Sequence, residues 1–179
     1  MDALLGLSRG IDRLNILLGR VAAFLVLAAA LISAGNAIMR YAFDYSSNAF
    51  LEIQWYLFAG VVMLGAANTL RRNEHVRVDL IYMSVSDRKR LWIDVFGIIL
   101  FLMPFTIFLA WLSWPIAAQA FTTGEMSSSA GGLLRWPVRM VICFGFVLVA
   151  LQGVSELIKR IAALRGVIDL STDYEKPQQ

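Results

Sequence analysis

Four long stretches without charged residues organise the chain. They cover residues 21–39, 53–70, 95–124 and 137–155. The last of them contains one charged residue, Arg139. About 20 mostly apolar residues in a helix cross the hydrocarbon layer of a bilayer, which is about 30 Å thick. Because lipid offers no hydrogen bonds to a bare backbone, such stretches must be helical. The pattern predicts an all-α integral membrane bundle of four transmembrane helices, at residues 19–40, 51–71, 91–119 and 136–159.

These helices leave no room for a second domain. The chain has 179 residues, 59% hydrophobic and 16% charged, and soluble domains seldom have fewer than about 50 residues. We therefore expect one membrane domain over residues 1–179, with an N-terminal arm at 1–18 and a cytoplasmic tail at 160–179. Pro104 and Pro115 predict that the third helix bends, or ends early near Pro115.

The N-terminal arm has the pattern of an amphipathic helix. At 100° per residue, Arg9 and Arg13 lie opposite an apolar face that comprises Leu4, Leu7, Ile11, Leu14 and Leu18. A helix of this kind lies flat at the membrane interface, with its apolar face in the lipid and its charges in water. The alternative is a plain cytoplasmic extension of the first transmembrane helix.

The distribution of basic residues predicts the orientation. Thirteen of the sixteen Lys and Arg residues fall in the arm, in the connection between the second and third helices, and in the tail; Arg40, Arg135 and Arg139 fall on the other side. Short cytoplasmic segments carry the excess of Lys and Arg. Both termini are therefore expected in the cytoplasm.

Two asparagines lie within the predicted transmembrane helices. We expect Asn36 and Asn68 to make hydrogen bonds between helices, because a polar group at membrane depth needs a partner there. Ala29, Ser33 and Ala37 form a stripe of small residues that allows another helix to approach closely.

The residue types do not favour an enzyme. His75 is the only histidine, and the chain has no Cys-x-x-Cys pair and no glycine-rich phosphate-binding motif. We expect no cofactor, no metal and no nucleic acid, only membrane lipids and protein partners. Glu52, Asp94 and Glu156 lie at the ends of helices, whereas a four-helix exporter needs a carboxylate near mid-membrane. A stand-alone small transporter and an accessory subunit of a membrane enzyme complex remain alternatives.

Two ordered sets of motifs carry a family resemblance. The first runs through residues 50–58, Leu-Gly-Ala-Ala at 64–67, and a basic loop at 71–79 that ends in His-Val-Arg-Val-Asp. The second comprises Gly-Glu-Met-Ser at 124–127, Gly-Gly-Leu at 131–133, Arg-Trp-Pro at 135–137, and residues 145–156. In order and spacing, these motifs resemble the small membrane subunit of TRAP (tripartite ATP-independent periplasmic) transporters.

The resemblance implies a role in the bacterial inner membrane. In that family the small subunit is part of a fixed scaffold, while a large membrane subunit holds the substrate and sodium, and a periplasmic substrate-binding protein delivers the solute. The second set of motifs is similar to the branch associated with organic-acid uptake.

Several residues are candidates for roles in such an assembly. Glu52 is expected to anchor the second helix by pairing with Arg40, Arg135 or a partner subunit; the alternative is a carboxylate that reaches the interface alone. A polar cluster of Arg72, His75 and Asp79 is expected to order the inner loop or bind the large subunit, although ordinary anchoring by arginines is an alternative. Candidate contacts for the binding protein are Asp44, Glu125 and Ser127.

Overall fold

Four long helices make up the fold. The computed structural model describes residues 1–74 and 85–169. The helices are α1 (Asp2–Phe43), α2 (Asn48–Arg72), α3 (Asp87–Thr123) and α4 (Trp136–Leu164), and each is long and apolar enough to cross a membrane. This confirms the predicted all-helical fold with four candidate transmembrane helices, and each predicted span lies within one of them.

Three of the four helices end where the backbone takes a left-handed turn. Asp44 follows α1 with φ 52°, Asn73 follows α2 with φ 61°, and Gly124 follows α3 with φ 60°. In this conformation the backbone N–H folds back onto the free carbonyls of the last helical turn, and Gly and Asn adopt it most readily. Between α1 and α2, the Ser47 hydroxyl accepts a hydrogen bond from the Ala49 N–H and so caps α2.

The third helix runs further than its prolines predicted. It contains a π-helical turn at Ile98–Leu102, directly before Pro104, and continues through Pro115 to Thr123. The prediction of an early end near Pro115 is therefore wrong. A proline removes one N–H donor, and helices in membranes tolerate this because neighbouring helices and side chains satisfy the freed groups. The glycine after Thr123 ends the helix instead.

The fourth helix is the centre of the bundle and packs against each of the other three. Glycines make its closest contacts, because a Cβ atom at Gly145 would stand 2.5 Å from the Met63 Cβ, and one at Gly153 would stand 3.0 Å from the Met103 sulfur. By contrast, Ser33 and Ala37 in the small-residue stripe of α1 are exposed.

The arm and the first transmembrane helix form one continuous helix of 42 residues, about 63 Å long. Its start lies against the last part of α4, where Ser8 contacts Ser155 and Asn15 contacts Gln152. Because these contacts join the first residues of α1 to the last part of α4, both described ends of the chain lie at the same end of the bundle, called here the termini end; the opposite end is the loop end.

Candidate functional site

Polar side chains gather at the two ends of the bundle. One group, the termini-end network, joins α1, α3 and α4; its members are Ser8, Asp12, Asn15, Asp94, Gln152, Ser155, Glu156, Lys159 and Arg160. The other, the loop-end clamp, joins α2 to the loop at 124–135; its members are Asn48, Glu52, Tyr56, Ser127 and Leu133.

The centre of the termini-end network is an amide pair. Asn15 donates from Nδ2 to Gln152 Oε1 at 2.7 Å, and both side chains are fully buried. Gln152 Nε2 then donates to Asp12 Oδ1 at 2.8 Å and to Glu156 Oε1 at 2.9 Å. The Ser155 hydroxyl also donates to Asp12 Oδ1, at 2.8 Å. One glutamine therefore links three polar groups on two helices.

Ion pairs surround these hydrogen bonds. The Lys159 ammonium lies 3.2 Å from Asp12 Oδ2 and 2.5 Å from Glu156 Oε1. The Arg160 guanidinium lies 2.8 Å from Asp94 Oδ2 and also contacts Glu156. A buried charge is tolerated only when it is paired and hydrogen-bonded, and removing one partner of a buried pair typically costs about 3–5 kcal/mol. The network therefore fixes the arm and the start of α3 to α4.

The loop-end clamp depends on a single carboxylate. Glu52 accepts a hydrogen bond from the Ser127 hydroxyl at Oε1 and one from the backbone N–H of Leu133, at 2.7 Å, at Oε2. A Cβ atom at Gly132 would stand 2.5 Å from the Ser127 Cβ and 2.9 Å from Glu52 Oε1, so only glycine fits there. Hydrogen bonds to a charged acceptor are stronger than those between neutral groups.

Further contacts hold the same loop in shape. The Ser127 N–H donates to the Leu133 carbonyl at 2.9 Å, and the Arg135 N–H donates to the Glu125 carbonyl at 2.8 Å. From α2, the Tyr56 hydroxyl donates to the Leu134 carbonyl at 3.0 Å, and Asn48 Nδ2 donates to the Ala130 carbonyl at 3.0 Å. The loop is therefore bound along most of its length.

The structure gives the predicted site residues at the loop end new partners. Within the described residues Glu52 makes no ion pair with Arg40 or Arg135 and anchors the loop through Ser127 and Leu133. Its pairing with a partner subunit stays a prediction. Glu125 makes a two-pronged ion pair with Arg139, at 2.5 and 2.8 Å. Ser127 is a member of the clamp, and Asp44 is exposed.

The other predicted site residues lie apart from one another. Asn68 Oδ1 accepts a hydrogen bond from Arg71 of its own helix at 3.1 Å, and the Asn68 side chain packs against Gly19, so the expected bond between helices is wrong there. Asn36 Oδ1 is buried and has no hydrogen-bond partner among the described residues. Arg72 forms an exposed ion pair with Glu74 at 3.5 Å. His75 and Asp79 lie outside the described residues.

Sequence reasoning missed most of the termini-end network. A signal was present: Ser8, Asp12 and Asn15 are spaced by four and three, which places them on one helical face. Gln152, Ser155 and Lys159 have a similar spacing on α4. The two faces are 137 positions apart in the pair Asn15–Gln152, so only the tertiary structure reveals that they meet.

A comparison with known protein families identifies the family of this chain. The model of the family described as "Tripartite ATP-independent periplasmic transporters, DctQ component" matches residues 29–163. The chain belongs to the DctQ family. This confirms the resemblance to the small TRAP subunit, and DctQ is a family of transporter components. No curated protein and no solved structure matches the chain.

The family match covers the two polar groups unequally. The whole loop-end clamp of this DctQ chain lies inside the matched residues, as does the α4 side of the termini-end network. Ser8, Asp12 and Asn15 of the arm lie before the match begins.

Proposed function

We propose that this DctQ subunit is the fixed scaffold of a TRAP secondary transporter in the bacterial inner membrane. It supports a large ion-coupled membrane subunit that moves the solute, and a periplasmic substrate-binding protein docks at its loop end. The solute is a small organic acid, and sodium drives its uptake. The family match supports the assembly, and the motifs at 124–156 support the solute class.

One observation favours a scaffold over a carrier. The middle of every helix is free of charge, and the charged groups of both polar clusters are bound within the chain. A subunit that carries an ion and an acid needs polar groups near mid-membrane that bind and release them. Groups that bind each other at the two ends instead hold the helices in one arrangement.

The proposed orientation places the termini end in the cytoplasm. The excess of Lys and Arg at that end supports it. The clamped loop and Asp44 then face the periplasm, where the binding protein arrives. Asp44 is exposed and available for direct contact. For Glu125 and Ser127 we propose an indirect role, because their side chains hold the loop in the shape that the binding protein meets.

The arm has three faces that suit a helix at the cytoplasmic interface. Arg9 and Arg13 are exposed on one face, Leu7 and Leu14 are exposed on another, and the third face binds α4. Leucines in the acyl region and arginines among the headgroups stabilise this position.

The inner loop is proposed to bind the large subunit. Arg72 at the end of α2, together with His75 and Asp79 of the following connection, supplies both charges and a histidine for that contact. Exchange of His75 for alanine should then weaken assembly with the large subunit, whereas exchange of exposed Arg165 at the same end of the bundle should not.

Co-purification tests the proposed assembly. An affinity-tagged form of this chain, expressed with the neighbouring genes of its source, should retain a large multi-span membrane protein in mild detergent. Recovery of the chain with a membrane enzyme, such as a haem or quinone oxidoreductase, would favour the alternative of an accessory enzyme subunit. Recovery alone, together with transport activity, would favour a stand-alone carrier.

A further inference from the structure

A cleft of about 280 Å³ opens between α2 and α3 at the termini end. Its apolar walls comprise Leu70 of α2 and Ile93, Gly97, Ile98 and Leu102 of α3. Gly97 and the π-helical turn at Ile98–Leu102 shape the α3 wall, and a Cβ atom at Gly97 would meet nothing within 4 Å. Among the described residues, the cleft is thus a groove on the side of the bundle with apolar walls.

The charged groups at the floor of the cleft are paired with one another, so they do not require a charged ligand. The floor comprises Asp94, Glu156 and Arg160, and the Arg160 guanidinium contacts both carboxylates. Water is a poor occupant of an apolar groove at this depth in a membrane. The occupant must therefore be apolar along most of its length.

The dimensions fit one acyl chain. From Ile93 to Leu102 the wall rises nine residues, about 13 Å, which is close to the depth of one leaflet, about 15 Å. The volume equals about nine times the ~30 Å³ share of a water molecule, and a methylene group takes up a similar volume.

Two cations lie near the termini end of the cleft. Arg71 follows Leu70 on α2, and Lys89 lies one helical turn before Ile93 on a neighbouring part of the same face of α3. Lys89 is exposed and makes no ion pair within residues 1–74 and 85–169. Basic groups between helices at the cytoplasmic side bind the headgroups of anionic lipids.

We infer that this cleft binds one acyl chain of an anionic phospholipid of the adjacent leaflet, with the lipid phosphate beside Arg71 and Lys89. The lipid fills the space between α2 and α3 and holds the two helices at a fixed separation. This inference does not depend on the proposed transport function.

Native mass spectrometry of the full-length chain, delipidated in micelles and titrated with dioleoylphosphatidylglycerol or dioleoylphosphatidylcholine, tests the site. The wild-type chain should bind one phosphatidylglycerol more tightly than phosphatidylcholine. Gly97→Phe should fill the cleft and weaken both lipids by about tenfold or more, the equivalent of about two methylene groups losing their contacts. Gly97→Ala should have a smaller effect.

Two matched variants separate the acyl chain from the headgroup. Gly35 of α1 also has open space around it, so Gly35→Phe should leave lipid binding unchanged. Arg71→Gln with Lys89→Gln should remove the preference for phosphatidylglycerol and leave phosphatidylcholine binding intact, whereas Arg88→Gln, on the opposite face of α3, should leave that preference unchanged. Ile93→Trp places a larger side chain in the cleft wall and should also weaken the binding of both lipids. This second variant tests the site if Gly97→Phe does not fold.

Equal lipid binding by the wild-type chain, Gly97→Phe and Ile93→Trp would overturn the inference. It would also be overturned if Gly97→Phe kept its lipid but lost the large membrane subunit in co-purification, because a helix of that partner would then be the occupant.

Discussion

Asn15 near the start of the chain donates its side-chain amide to Gln152 in the last helix, across 2.7 Å, and neither side chain is exposed. This pair connects the arm to the central helix of the bundle. Gln152 also donates to Asp12 and Glu156, so its loss removes one donor from each of two carboxylates. Asn15 Oδ1 is itself buried without a hydrogen-bond partner in the described structure, so the bond to Gln152 is the one side-chain hydrogen bond that Asn15 makes there.

We predict that Gln152→Ala lowers the free energy of unfolding by about 2–4 kcal/mol, because it leaves buried polar groups unsatisfied. Asn15→Ala should cost less, about 1–2 kcal/mol, and the double variant less than the sum of the two. Unfolding in mixed micelles measures all three. Gln54→Ala is the control, because Gln54 donates to the Phe50 carbonyl of its own helix at an exposed position. Fully additive losses would contradict the direct coupling of Asn15 and Gln152.

We predict that Glu52→Ala releases the loop at 124–135. Without the carboxylate the Leu133 N–H loses its acceptor, and its hydrogen–deuterium exchange should rise by about tenfold or more, because a hydrogen bond to a charged acceptor is among the stronger ones. Glu52→Gln should give a smaller rise than Glu52→Ala, because the amide still offers one acceptor oxygen. Glu74→Ala is the matched control, since Glu74 pairs only with exposed Arg72 among the described residues. An unchanged Leu133 exchange rate in Glu52→Ala would show that the loop is held by other contacts.

We predict that Gly145→Ala forces α2 and α4 apart. The new Cβ would stand 2.5 Å from the Met63 Cβ and 3.1 Å from its Cα, and a backbone atom cannot move aside as a side-chain end does. The expected cost is about 1–3 kcal/mol, as for other overpacked sites. Thermal unfolding should show a lower midpoint for Gly145→Ala and an unchanged or raised midpoint for Gly35→Ala, where the added methyl group meets nothing. Equal midpoints for Gly145→Ala and the wild-type chain would contradict the close packing of α2 on α4.

We predict that the arm lies at the cytoplasmic interface with its leucines in lipid. In a Cys143→Ala background, a cysteine at Arg9 or Arg13 should react quickly with a charged maleimide added to inverted membrane vesicles. A cysteine at Leu7 or Leu14 should react at least about tenfold more slowly, because lipid shields it. Equal rates at all four positions would indicate an arm surrounded by water, and reaction only in right-side-out vesicles would reverse the orientation.

The transmembrane helices were predictable because their signal is local. Lipid requires charge-free helices of a fixed minimum length, and residues 21–39 or 53–70 display this without reference to any other part of the chain. The predicted helix at 91–119 already continued past Pro115, but the alternative of an early end there was wrong, since α3 tolerates the proline and ends before Gly124.

The polar contacts were predictable only in part. The position of Glu52 at the start of α2 marked it as a residue with a role, but its partners are a hydroxyl and a backbone N–H in a loop that folds back onto α2. No periodic pattern in the sequence predicts that this loop folds back onto α2. The network at Asn15 and Gln152 could not be predicted from the sequence. Each half has the pattern of an ordinary polar helix face, and the contact between them forms only when the two helices pack together.

Uptake into proteoliposomes tests the scaffold role most directly. With an inward sodium gradient and the binding protein loaded with a radiolabelled organic acid, vesicles that contain this chain together with the large membrane subunit should accumulate the acid. Vesicles that contain only this chain should show the background level, and vesicles that contain only the large subunit should show weak uptake or none. Accumulation of the acid above background by this chain alone would contradict the account, because the chain would then be the carrier and not its support.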